Sequence, residues 1–256
     1  MTDLAAAEFA TYDRLETSHW WFRARRAVLR TLLEAVPHHE DKTLLEVGCG
    51  AGGNLHHLFG DFKKRVGLEC NQHALRHARE KLRPGNGIVA GDANELPLPN
   101  ESFDCVALID VLYHRAIRDV DRVLHRVRAV LKPGGHVLVT DGAHDFLAGR
   151  HNMAVDSARR FTKGRLRTHL EGSGFDILKI SYWGVLIFGL LFAKRVVAEP
   201  LVGLFRSAPP EPGSFDMLTV PLLDQVLFAS VRAELPFLRG IGLPLGASVC
   251  ALARKT

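Results

Sequence analysis

Apolar positions along the chain follow first one period and then another. Between residues 8 and 36, Trp21, Arg25, Val28 or Leu29, and Leu32 recur at helical spacing, and Pro37 stops the run. From Thr43 the pattern changes to a short, nearly continuous apolar strand, Thr43-Leu44-Leu45-Glu46-Val47. It runs straight into Gly48-Cys49-Gly50-Ala51-Gly52-Gly53, and a helix follows through Leu55, Leu58 and Phe59. The alternation then repeats. Strands are expected over 65–69, 87–91, 103–110, 136–140 and 175–182, with helices over 72–82, 117–131 and 164–171. Pro84-Gly85, Lys132-Pro133-Gly134-Gly135 and the break at 172–174 punctuate them. Strands alternating with helices in this way predict a mostly parallel sheet with crossover helices on both faces, and residues 247–253 can supply a seventh strand.

One stretch departs from this winding. Residues 183–246 are rich in Leu, Phe and Pro, with helices expected over 185–197 and 222–235 and a rigid break at Pro209-Pro210 and Pro212-Gly213. The segment Trp183–Phe192, which leads into the first of these helices, is apolar all round and then meets Lys194 and Arg195. Such a segment is extra core, a dimer surface, a lid over a substrate or a peripheral membrane contact through 183–195. The organisation expected is therefore a single domain. It comprises an N-terminal helical cap (1–40), a ligand-binding core (42–182), an apolar helical insertion (183–246) and a last strand (247–256).

Composition narrows the class. The 256 residues are enough for a substantial core, and 47% hydrophobic with 24% charged residues excludes a disordered chain. A formal charge of +5 gathers at Arg23, Arg25, Arg26 and Arg30 and again between Arg150 and Arg167. These read as solvated helix faces that attract an anionic cofactor. No aromatic-interleaved basic motif accompanies them, so no nucleic-acid partner is expected. Four scattered cysteines, three of them in or beside predicted strands, fit buried thiols and a reduced cytoplasmic setting. Met1–Ala10 carries Asp3 and Glu8 and lacks a leader pattern, and the longest apolar run is shorter than the roughly 20 residues a bilayer requires.

The chemistry centres on the glycine loop. Glycines directly after a first strand let the backbone approach a ligand and turn into a helix. Gly48-x-Gly50-x-x-Gly53 satisfies a dinucleotide fingerprint, and Gly48-x-Gly50-x-Gly52 a nucleoside–amino-acid one, so glycines alone do not decide. Three carboxylates favour the second. Glu46 sits inside the strand, badly placed for a pyrophosphate but able to orient the loop or meet a cationic group. Glu69 ends the second strand, where it can accept both ribose hydroxyls, and Asp92 follows the third, within reach of an adenine amino group. All three fall on the edge where open α/β sheets bind ligands.

Leu44-Leu45-Glu46-Val47-Gly48-Cys49-Gly50-Ala51-Gly52, Gly91-Asp92-Ala93-x-x-Leu96-Pro97 and Leu131-Lys132-Pro133-Gly134-Gly135 together resemble the motifs of class I S-adenosylmethionine (SAM)-dependent methyltransferases, especially the ubiquinone and menaquinone biosynthesis branch. The resemblance covers about 42–182. It implies a Rossmann-like seven-stranded α/β sheet with an antiparallel last strand, and SAM as the cofactor. It further implies Glu46, Gly48, Gly50 and Gly52 at the methionine end, Glu69 at the ribose, Asp92 and Ala93 at the adenine, and Asp110 bordering the site, with Cys49 and Cys70 beside them. Glu69 departs from the Asp many relatives carry. His19-Trp20-Trp21-Phe22-x-x-Arg25-Arg26 also looks like a segment of some bacterial members, which makes Tyr12, Trp21 and Arg25 candidates to close over the cofactor.

A sulfonium methyl is already activated, so the protein must align an acceptor and exclude water. A general base serves only an acceptor that is not already an anion. His114, after the fourth strand, is the expected catalytic residue, with Tyr113, His144 and His151 behind it. No metal-ligand spacing is present. The expected activity is methyl transfer to a small hydrophobic acceptor, at oxygen or carbon. An NAD(P)-dependent oxidoreductase and a non-catalytic SAM-binding scaffold stay open as alternatives, and the oligomeric state is open with a homodimer among the choices.

Overall fold

The computed structural model describes residues 15–82, 85–149, 156–198 and 221–256. Seven strands form one sheet: β1 (Thr43–Val47), β2 (Lys64–Glu69), β3 (Gly87–Ala90), β4 (Phe103–Ile109), β5 (Leu131–Gly142), β6 (Phe175–Trp183) and β7 (Ser248–Lys255). Their spatial order is β3-β2-β1-β4-β5-β7-β6, with β7 antiparallel to both its neighbours and the remaining pairs parallel. The chain winds outward from β1 on one side and from β4 on the other, so the crevice between them is a topological switch point.

Helices cover both faces, because successive strand residues point to opposite sides. Leu45, Val47, Val106 and Leu108 meet α4 (Val120–Val130) and α5 (Lys163–Gly172) through Val123, Val127, Leu166 and Leu170. Leu44, Cys105 and Ala107 face the other layer. That layer is built from α1 (Trp20–Leu33), α2 (Gly53–His57), α6 (Val185–Phe192) and α7 (Pro221–Arg239), and α3 (Gln72–Lys81) follows β2.

Several boundaries differ from the expected ones. Residues 15–18 are helical, but His19 interrupts the run by accepting the Trp21 N–H on Nδ1 at 3.2 Å, and α1 starts at Trp20. Helix α4 begins at Val120 instead of 117, because the Asp119 carboxylate caps the Arg122 N–H at 3.1 Å. The Lys132–Gly135 turn is a bulge inside a long β5, since Leu131 already pairs with Phe103 before His136 pairs with Cys105. The arginines of α1 are not uniformly solvated: Arg25 and Arg26 are 4% and 8% exposed.

The insertion divides in its role. Helix α7 is core on one face, packing Leu227, Val231 and Leu238 with Val28 and Leu32 of α1, while the Arg23 guanidinium lies 4.4 Å from the Phe228 ring centre. Helix α6 buries Ile187 and leaves Val185, Leu186, Leu190 and Phe192 exposed, before a π-helical turn over Ala193–Ala198. Among the described residues no helix is long and apolar enough to cross a membrane.

Candidate cofactor site at the carboxyl edge of the sheet

The site grows from the end of β1. Gly48 has φ +70°, and a Cβ there would stand 2.8 Å from Val111 Cγ2, so the loops after β1 and β4 approach as only glycine permits. Gly50, at φ +53°, has nothing within 4 Å of its absent Cβ, so the crest of the loop opens to a ligand. Below it Glu46 is 1% exposed. Its Oε1 accepts from Asn54 Nδ2 at 2.8 Å, while Oε2 has no hydrogen-bond partner among the described residues. Burial pushes its carboxyl up to about 8, the Asn54 bond opposes the shift, and the nearby Glu16 carboxylate adds to it. A dry, half-paired acid beside other acids is stable as an anion only with a cation next to it.

The rim is acidic and cross-linked. Glu16 is buried, with its carboxylate packed so closely on Gly53 that a Cβ there would collide with it. Arg26 holds that segment by donating to the Glu16 and Thr17 carbonyls, the latter at 3.3 Å. Arg25 pairs with Asp110, which follows β4 at φ +54°. Glu69 is buried, and its Oε2 accepts the Gly50 N–H at 3.0 Å. Its Oε1 accepts the Cys70 and Asn71 N–H groups, both at 2.8 Å. The exposed Asp92 carboxylate accepts from Asn94 N and Nδ2 at 2.9 and 2.7 Å.

The fold thus brings Glu46, Gly48, Gly50, Gly52, Glu69, Asp92 and Asp110 to one edge, with Arg25 over it. Some expected roles change. Cys49 turns its thiol into the apolar core beside Gly67, where burial pushes its pKa far up, so only its backbone is left for a ligand. Cys70 is exposed rather than buried, its thiol pushed up to about 11 by partial burial and by Glu69. Ala93 packs against the core on the α4 side. Trp21 packs at a tilt against Trp183, at a centroid distance of 4.7 Å, at the end of β6. Tyr12 and His151 lie outside the described residues.

His114 accepts the Ala116 N–H on Nδ1 at 3.0 Å, and burial lowers its pKa. The neutral ring therefore carries its proton on Nε2, which makes that nitrogen a donor. Three residues escaped sequence reading: Glu16, Asn54 and Asp141. Asp141 lies near the end of β5 fully buried, with Oδ1 accepting the Tyr113 N–H at 3.2 Å and Oδ2 without a hydrogen-bond partner among the described residues. Burial and then Asp110 raise its pKa well above the usual carboxylate range. Its position at a strand end was the signal available. Among the described residues no group of three His, Cys, Asp or Glu could hold a metal ion.

A surface depression of about 580 Å³ lies on the outward face of α4 between Asp119 and Ala129 and touches none of these residues. Its exposed, charged lining offers nothing that matches the buried carboxylates and open glycine loop of the sheet edge.

A seven-stranded sheet with this glycine loop defines a Rossmann-like methyltransferase fold. A SAM-dependent methyltransferase from Mesorhizobium loti superposes with a TM-score of 0.60 over 91% of this chain and 98% of that one, at 18% identity, a likeness of fold. Through residues 45–139 the chain matches the family model described as a methyltransferase domain, and the cofactor that this match and the structural neighbours imply is SAM. The chain is 38% identical over 107 residues to a fatty-acid O-methyltransferase of Mycolicibacterium smegmatis, covering 40% of this chain and 38% of that protein. It is 35% identical over 108 residues to the ubiquinone/menaquinone biosynthesis C-methyltransferase of Escherichia coli, covering 39% and 42%. The chain thus matches less than half the length of these two relatives.

Proposed function

We propose that the whole chain transfers a methyl group from SAM to a small hydrophobic acceptor, at oxygen or carbon. The observation that carries this is Glu46, a buried carboxylate with one oxygen that has no hydrogen-bond partner among the described residues, beneath the open crest at Gly50. Glu46 and Glu16 would hold the cationic amino-acid end, the Gly48–Gly52 backbone would cradle it, Glu69 would take the ribose and Asp92 the adenine. In taking the ribose, Glu69 exchanges its bond to the Gly50 N–H for the hydroxyls. When bound, SAM would supply a methyl group already activated on a sulfonium, so the chain's residues need only hold it and align the acceptor.

The chain's own residues position and dry the reaction. Arg25, pinned to Asp110, closes the N-terminal segment over the edge. His114 donates from Nε2 and so orients an acceptor oxygen rather than deprotonating it. The apolar face of α6 favours an apolar acceptor, in keeping with the fatty-acid and quinone relatives. Calorimetric titration with SAM, S-adenosylhomocysteine and NAD(P)H tests the reading, repeated on Glu69→Ala and Asp92→Ala. Binding of both adenosyl ligands, weakened at least tenfold by each substitution, is expected; binding of NAD(P)H alone would overturn it. Apolar acceptors should then outpace polar ones in a methylation assay.

A further inference from the structure

The acid at the adenine end of the proposed site is held by a buried amide. Asp92 follows β3, and its main-chain carbonyl accepts the Glu95 and Leu96 N–H groups at 3.1 and 2.9 Å, which closes a tight turn. Inside that turn Asn94 is buried, whereas Asp92 itself is exposed. The Asn94 Nδ2 donates to Asp92 Oδ1 at 2.7 Å and to the Ala116 carbonyl at 2.9 Å, and its Oδ1 accepts the Arg118 N–H at 3.0 Å. Both amide hydrogens and the amide oxygen are thus used, and these partners fix which way the amide faces, since a flip would turn the oxygen toward two acceptors. Residue type matters here. An aspartate lacks the two donors, and a glutamine carries them one methylene further out.

The far end of this bridge, the loop after β4, is itself pinned. Asp141 accepts the Tyr113 N–H at 3.2 Å, and Arg159 donates to the Leu112 and Ile117 carbonyls at 3.1 and 2.9 Å. The Ala158 N–H reaches the Tyr113 carbonyl at 2.9 Å, and Val111 packs against Gly48 of the glycine loop. Asn94 therefore braces Asp92 against a fixed support. Its main-chain N–H also donates to Asp92 Oδ1, at 2.9 Å. Two donors from one residue onto a single carboxylate oxygen are strong, charge-assisted bonds that set the plane of the carboxylate and leave Oδ2 for a ligand. We propose that Asn94 is a positioning residue for adenine recognition, bracing Asp92 so that Oδ2 meets an amino group at C6 of the purine and rejects a carbonyl there. A carboxylate held in place cannot turn away from a carbonyl oxygen, whereas a loose one can, and selectivity of this kind needs a polar group fixed by its surroundings. This assignment rests on the methyltransferase reading above and deepens its adenine end.

The test is calorimetric titration of the full chain with S-adenosylhomocysteine and with S-inosylhomocysteine, in which a carbonyl replaces the purine amino group. The wild-type chain should bind the adenosyl ligand at least tenfold more tightly. Asn94→Ala should weaken the adenosyl ligand at least fivefold and the inosyl ligand less than twofold, so that the preference shrinks. The double variant Asp92→Ala/Asn94→Ala should bind S-adenosylhomocysteine as Asp92→Ala does, within twofold, because a brace has nothing to act on once the acid is gone. Asn94→Asp keeps the size of the side chain and an acceptor for the Arg118 N–H but sets a like charge beside Asp92. It should lose the same preference, and it decides the matter if Asn94→Ala unfolds. Equal losses for the two ligands, losses that multiply in the double variant, or a wild-type chain that binds both ligands alike would overturn the inference. In each of these cases intact S-adenosylhomocysteine binding by the wild type leaves the methyltransferase reading standing, whereas absence of that binding would sink the reading itself.

Discussion

At the scale of single residues, Glu46 links stability, pH and ligand. In the folded chain its carboxyl keeps a proton up to about pH 8, against an ordinary value of 4.5 when the chain is unfolded. Between those values the folded state binds more protons than the unfolded one, so the stability this residue contributes falls as pH rises through the window and levels off above it. Glu46→Gln keeps an acceptor for Asn54 and removes the charge. Thermal melts of the ligand-free variant should accordingly be flatter from pH 5 to 8 than those of the wild type, and higher at pH 8. A cation bound beside Glu46 favours its ionised form, so SAM binding near pH 7 should release a proton. Calorimetry in two buffers of different ionisation enthalpy reads that release, and equal proton release by wild type and Glu46→Gln would remove Glu46 from the cationic end of the site.

At the scale of elements, α6 depends on a residue far along the chain. Its N-terminus is entered through Gly184 at φ +77°, with no side-chain cap of its own. The amides that the helix itself leaves over are taken by Glu234 of α7, which accepts the Gly184 and Val185 N–H groups at 2.7 and 2.8 Å. Glu234→Ala leaves two amides without partners and should cost about 1–3 kcal/mol. Hydrogen exchange over 184–192 should quicken while β1 and β4 stay protected; uniform protection would show that α6 is capped by other means. The same pair marks how far the sequence could be read. Strand–helix alternation, the glycine loop and Glu46 were legible, because period and residue type are local properties. A cap lent across 50 positions, or the Arg25–Asp110 pair spanning 85, leaves no local trace. Asp141 was legible in principle, as an acid ending β5 in the way that Glu69 ends β2. Arg25 and Arg26 misled because helical spacing gives the face of a helix but not what covers it.

At the scale of the molecule, the proposed donor site is assembled from pieces that touch only in the folded state. Glu16 and Arg25 come from the N-terminal segment, Glu46 from β1, Glu69 from β2 and Asp110 from the loop after β4. The first of these pieces is tied across the sheet, since α1 carries Arg25 to the donor edge and Trp21 to Trp183 at the end of β6. A ligand that engages such a site binds the native state alone and stabilises it by mass action, about 2.7 kcal/mol at a hundred times its dissociation constant. For a chain of this size that raises the melting temperature by roughly 5–10 °C. Arg25→Ala releases the N-terminal segment from Asp110 without touching Glu46 or Glu69, so it should keep weak SAM binding but lose more than half of that rise at a fixed SAM concentration. A full rise in Arg25→Ala would mean that the segment lies over the edge without holding the ligand.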